Sequence, residues 1–268
     1  MATEVTSKDG TTIAFDRSGG GSPIVLVGGA LADRSAAAEL AAQLAPRLDA
    51  VAFDRRGRGD SGDTAPYAVE REVEDIEALI LAVGGRAFVL GHSSGAVLAL
   101  ESARTLPDRI TKLALYEPPF IVDDSRPLLP ADYVPHLEDL VTAGRRGDAV
   151  EFFLTTAVGV PAEVVAGMRE QPYWSSLEST AHTLGYDGTI MGDTMAGSPV
   201  PLQRWASVGV PTLVMDGGAS PDWQRHAVRA LVDVLPDARY QTLEGQDHGP
   251  ASEVLAPVLV GFFLDRPW

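Results

Sequence analysis

A serine between two glycines, Gly91-His92-Ser93-Ser94-Gly95, is where this 268-residue sequence could do chemistry. The apolar run over residues 86–90 reads as a buried strand leading into it. Residues 96–103, apolar on every side, read as a buried helix leading out. Gly-x-Ser-x-Gly at a strand-to-helix junction is the signature of a nucleophile elbow. The turn is so tight that a side chain at either glycine would strike neighbouring backbone. The serine is then strained, with its hydroxyl pushed out above the sheet. A Gly/Ser-rich loop without chemistry is the bland alternative, and the flanking strand and helix argue against it. A serine hydroxyl is a poor nucleophile at neutral pH and needs an adjacent base. Five histidines are available. His92 sits inside the elbow, where its side chain should diverge from Ser93. His136, His182 and His226 read as surface residues or pocket walls. His248 falls in a loop straight after a strand, on the same sheet edge as Ser93, and is the candidate base.

Alternating elements must position these groups. Strand patterns fall at residues 11–16, 23–27, 50–53, 86–90, 110–116, 210–215 and 239–243. Helical patterns fall at 35–48, 69–83, 222–235 and 251–264. In the second of these, Val69, Val73, Ile76, Ile80 and Val83 recur at spacings of four and three and make one apolar stripe. The rhythm breaks over residues 120–205, which carry several prolines and look helical with loops. Alternating strands and helices imply a parallel sheet covered on both faces. The interrupted stretch is expected as an insertion over the carboxyl edge of that sheet, where open α/β sheets bind ligands.

Composition narrows the function classes. With no cysteine, a disulfide, a thiolate metal site and a cysteine nucleophile are all impossible. A net charge of −16 opposes binding to nucleic acid or to anionic membranes. Residues 1–10 lack the basic start and apolar core of a secretory signal, and no apolar run approaches the roughly 20 residues of a membrane span. The expectation is a cytoplasmic protein acting on a small molecule.

Four features occur in order: Gly28-Gly29 after the third strand, Asp54-Arg55-Arg56-Gly57-Arg58-Gly59-Asp60-Ser61 after the fourth, the elbow after the fifth, and Gln246-Asp247-His248-Gly249 after the last. The second matches Asp-x-Arg-Gly-x-Gly-x-Ser. On these residues the sequence resembles the α/β-hydrolase family over nearly its whole length. The resemblance implies a mostly parallel eight-stranded sheet with helices on both faces and a helical lid between strands six and seven. The core domain is then residues 1–119 and 206–268, and the lid 120–205. It also implies the chain order Ser…acid…His, which His248 completes.

The acid is the open question. Relatives usually place an aspartate after strand seven, where this chain has Ser220. Glu117, ending strand six, is the choice, because some relatives carry their acid there and Pro118-Pro119 fix the local backbone. Asp222 and Asp216 are the alternatives, and no acid at all is a fourth. Asp247 is expected to face solvent. The resemblance assigns the oxyanion donors to the N–H groups of Ser94 and of Ala30, with Gly29 second. The charged cluster over residues 54–61 reads as bracing beneath the site. Gly29, Leu31, His92, Tyr173 and Trp174 are candidate pocket residues. Tyr173, Trp174 and Tyr186, with Met191 and Met195, either line a pocket or form the lid's own core. Together these readings describe a serine hydrolase for a small, largely apolar ester, lactone or thioester, without cofactor or metal. The same scaffold also runs lyase, perhydrolase and acyl-transfer reactions, and some members only bind small molecules.

Overall fold

Successive residues of the apolar runs point to opposite faces of a strand, and both faces here are covered. In the computed structural model, which describes residues 3–265, eight strands form one sheet. They are β1 (Thr3–Thr6), β2 (Thr12–Gly19), β3 (Ser22–Val27), β4 (Leu48–Phe53), β5 (Ala87–His92), β6 (Ile110–Tyr116), β7 (Thr212–Gly217) and β8 (Ala238–Leu243). Their order is β1-β2-β4-β3-β5-β6-β7-β8. β1 and β2, and β2 and β4, pair antiparallel; from β4 to β8 every pairing is parallel.

The helices are α1 (Ala38–Leu44), α2 (Val69–Ala82), α3 (Ser94–Thr105), α4 (Tyr133–Thr142), α5 (Arg146–Phe152), α6 (Ala162–Arg169), α7 (Trp174–Thr180), α8 (Leu184–Met191), α9 (Asp222–Val232) and α10 (Ser252–Phe263). Val25 and Val27 of β3 pack with α2 and α3, in a cluster that extends along the sheet to α9. Their neighbours Ile24 and Leu26 pack with α1 and α10 on the other face. The stripe on α2 lies as its spacing demands: Val73 and Ile76 are buried against the sheet, and Val69 and Val83 flank them. Each such fully buried side chain contributes roughly 1.5–3 kcal/mol.

Between β6 and β7 the chain is helical, and α4 to α7 share a third apolar cluster with Leu184 at the start of α8. Ile190 and Met191 at the end of α8 join the sheet cluster instead. α8 thus ties this segment to the core through α2 and α3. Two elements differ from the sequence reading. β1 lies in the stretch of residues 1–10 that carries no strand pattern, because it is a short edge strand with mostly exposed side chains. The helix expected over 35–48 ends at Leu44, and Leu48 already belongs to β4. Pro46 explains the stop, since a proline has no N–H with which to continue the helical ladder.

Candidate active site

Three strand ends converge on the site. Ser93 follows β5 with φ 56° and ψ −129° and leads directly into α3. That backbone is costly for any residue with a Cβ, by about 1–3 kcal/mol. The surroundings enforce it. A Cβ on Gly91 would sit 2.5 Å from Ala96 Cα, and one on Gly95 2.4 Å from the Val27 carbonyl oxygen. The Ser93 N–H is anchored on the Tyr116 carbonyl at 3.0 Å.

Glu117 follows β6, fully buried and also at positive φ, 45°. Its Oε1 accepts the Gly217 N–H at 2.8 Å. Its Oε2 lies 2.7 Å from His248 Nδ1 and 2.9 Å from Gln224 Nε2. Burial pushes this carboxyl up, but the bonds from His248 and Gly217 outweigh it and hold the group below its ordinary range. With its proton on Nδ1, His248 donates to Glu117 and keeps Nε2 free to accept.

The alternative acids lie elsewhere. Asp222 is exposed at the start of α9 and pairs with Arg225. Asp216 is buried in β7 and accepts from the Tyr240 hydroxyl at 2.8 Å. Asp247 accepts the Gly249 N–H through Oδ1 at 2.9 Å and the Tyr116 hydroxyl through its carbonyl at 2.5 Å.

His92 reaches the site through the His248 loop rather than through the cavity wall. Its Nε2 donates to the His248 carbonyl at 2.7 Å, which pins the loop bearing the other imidazole. Burial, and then the nearby His248, pull the His92 pKa down to about 4, so the ring stays neutral near pH 7. Neither this tether nor Gln224 was legible in the sequence, because both depend on how the last loop and α9 fold back on the sheet edge.

A cavity of about 670 Å³ opens over these groups and is lined by Ser93, Ser94, Ala30, Ser220, Gln224 and His248. Its apolar wall comes from Leu128, Leu129, Tyr133, Phe153, Met191, Met195 and Trp223, among others. The assigned pocket residues are placed differently. Tyr173 is exposed, and Trp174 is buried in the helical cluster that also holds Leu137 and Val150. Leu31 packs against that same cluster. Tyr186 stacks on Tyr67 with ring centroids 3.9 Å apart. Gly29 makes room for the elbow, since a Cβ there would come within 2.9 Å of Ser93 Cβ. The remaining histidines sit apart: His136 edges onto Phe152, His182 lies 3.8 Å from Asp63, and His226 pairs with Asp123.

The loop over residues 54–61 braces itself and its neighbours. Asp54 accepts from the Arg34 N–H and the Asp60 N–H at 2.7 and 2.9 Å. Arg56 forks onto Asp75 of α2 at 2.7 and 2.8 Å, and Arg55 onto Glu72 at 2.7 Å twice. Among the described residues, no group of three or more His, Asp or Glu is placed to hold a metal ion, and no helix is long and apolar enough to cross a membrane.

Comparison with known proteins gives this geometry a context. The model of the alpha/beta hydrolase family matches residues 24–258. A solved alpha/beta hydrolase from Sphaerobacter thermophilus is 56% identical, with a TM-score of 0.91 over 97% of this chain and 100% of that one. The 2-(acetamidomethylene)succinate hydrolase of Mesorhizobium japonicum is 27% identical over 244 residues, 87% of this chain and 84% of the relative. A thermophilic esterase from Thermogutta terrifontis shares the fold at 20% identity and TM-score 0.69, over 99% of this chain and 98% of that one.

Proposed function

We propose that this chain, which belongs to the alpha/beta hydrolase family, is a serine hydrolase that cleaves a small, largely apolar ester, lactone or thioester. One observation carries the reading: Ser93 and His248 line the same apolar cavity, and His248 is held from behind by a buried carboxylate, Glu117. Residues 1–119 and 206–268 serve as the catalytic core, and residues 120–205 as a cap over it.

The placement of the groups supports an acyl-enzyme mechanism. Ser93 Oγ attacks the substrate carbonyl while His248 Nε2 takes its proton. The imidazolium that forms is stabilised by Glu117, whose negative charge is sustained by the Gly217 N–H and Gln224. The carbonyl oxygen becomes an oxyanion and is met by the N–H groups of Ser94 and Ala30, each worth about 3 kcal/mol in the transition state. His248 hands its proton to the leaving alcohol or thiol. Water, activated by the same imidazole, then attacks the acyl-enzyme and frees Ser93. A serine at the elbow does not suit the alkyl-enzyme chemistry of relatives that use an aspartate there.

A panel of p-nitrophenyl esters run beside a fluorophosphonate probe tests this reading. Turnover together with labelling of Ser93 supports hydrolysis. Labelling without turnover of any ester favours a lyase, perhydrolase or acyl transferase on the same scaffold. Neither response favours a small-molecule binding protein.

A further inference from the structure

A trans peptide is planar, so its carbonyl and the N–H of the next residue point in opposite directions. Whatever holds the Gly29 carbonyl therefore aims the Ala30 N–H. That carbonyl accepts a hydrogen bond from Arg58 Nη1 at 2.6 Å. Arg58 is itself fixed: it is 1% exposed, its Nε donates to Thr183 Oγ1 at 3.2 Å, and its Nη2 to Asp187 Oδ2 at 2.6 Å. The other oxygen of Asp187 accepts from Ser94 Oγ at 2.7 Å and from Arg55 Nη1 at 2.8 Å. One carboxylate on α8 thus reaches Ser94 directly and the Gly29–Ala30 peptide through Arg58. Both are the residues assigned as oxyanion donors. Arg58 occupies a variable place in Asp-x-Arg-Gly-x-Gly-x-Ser, so the loop's shared pattern does not explain it.

We infer that Arg58, held by Asp187, is a positioning residue for the oxyanion site: it locks the Gly29–Ala30 peptide with its N–H aimed into the cavity before substrate arrives. The inference rests on the reading of Ser93 as nucleophile. Two physical effects support it. A hydrogen bond from a charged donor is short and strong, so the peptide resists rotation. Polarising the carbonyl also makes the N–H at the other end of the same amide a better donor. Preorganised donors stabilise developing charge without reorganising during the reaction, and this arrangement supplies that rigidity to a loop containing two consecutive glycines, Gly28-Gly29.

The test is Arg58→Met, with Arg58→Lys as the conservative partner. Activity is measured per Ser93 titrated by fluorophosphonate. For p-nitrophenyl butyrate, kcat of Arg58→Met should fall 10- to 100-fold with KM within threefold. Affinity for a phenylboronic acid, whose serine adduct is a tetrahedral anion, should weaken by a similar factor. The pH midpoint of kcat/KM should not move, and Arg58→Lys should recover part of the loss. Removing one member of a buried ion pair can prevent folding. If it does, Arg58→Met with Asp187→Asn removes both charges together and carries the same expectations. Wild-type kcat in the folded variant, or a loss shared equally by KM and the pH midpoint, overturns the inference. If the wild-type protein neither turns over esters nor labels at Ser93, the hydrolase reading itself has failed, an outcome distinct from the other two.

Discussion

Glu117 holds its charge in a place without solvent because three donors surround it, and that makes it the residue on which the imidazole depends. Glu117→Gln should lower kcat by roughly 10²–10⁴. Asp222→Asn, on the exposed side of α9, should stay within twofold in the same steady-state assay. His92 adds a pH dependence whose sign is fixed. Its pKa is about 4 when folded and near 6.5 when unfolded, so the unfolded chain binds the extra proton as pH falls. Its contribution to stability is complete above about pH 6.5 and is lost as pH drops toward 4. Glu117, also depressed, acts in the same direction further down. Thermal melts from pH 7 to 5 should show Tm falling in the wild type, with a flatter slope in His92→Gln; parallel slopes would remove His92 from the account. Ser93 carries its own cost, so Ser93→Gly should abolish activity yet raise stability by about 1–2 kcal/mol in denaturant melts. At this scale Ser93 and His248 stood out as candidate nucleophile and base because few residue types can do that work. Glu117 was legible only as the first of several carboxylates. What sequence could not supply was its positive φ, or the Gln224 amide that reaches it from another element.

Strand and helix patterns placed the elements well where one period dominated. Val73 and Ile76 fixed the buried face of α2. They did not reveal that Glu72 and Asp75 on the same helix are buried too, because their partners, Arg55 and Arg56, come from a distant loop. Burial of charge is a property of the pair, and a hydrophobic period cannot report it. β1 escaped for the opposite reason: an edge strand with solvated side chains needs no apolar alternation. The junction between β5 and α3 makes the sharpest demand of any element. Gly95→Ala would drive a methyl group into the Val27 and Gly28 carbonyls, 2.4 and 2.5 Å from its Cβ. It should cost on the order of 3 kcal/mol in guanidinium unfolding, and a change under 1 kcal/mol would mean that the elbow is looser than described.

Across the whole molecule, the sheet delivers Ser93, Glu117 and the His248 loop to one edge, and the segment between β6 and β7 walls the cavity above them. The broken rhythm marked the segment between β6 and β7 as helical with loops, but not which of its side chains form the wall. Tyr173 and Trp174 were the conspicuous aromatics, whereas Tyr133 and Phe153 line the space, together with Met191 and Met195, for which the sequence left two readings open. Which face of a short helix turns inward depends on how that segment packs. Among the described residues lining the cavity there is no lysine or arginine. Lengthening an unbranched acyl chain should therefore raise kcat/KM about fourfold per methylene until the cavity is filled. A terminal carboxylate on the same chain should lower kcat/KM at least tenfold, since burying an unpaired charge is costly. The central claim is a covalent acyl-enzyme on one hydroxyl. Mass spectrometry of protein quenched in acid during turnover of a slow p-nitrophenyl ester tests it directly. The account predicts one added acyl group on the peptide containing Ser93, absent from Ser93→Ala. An unmodified Ser93 during sustained turnover, or the acyl group on another residue, would contradict it.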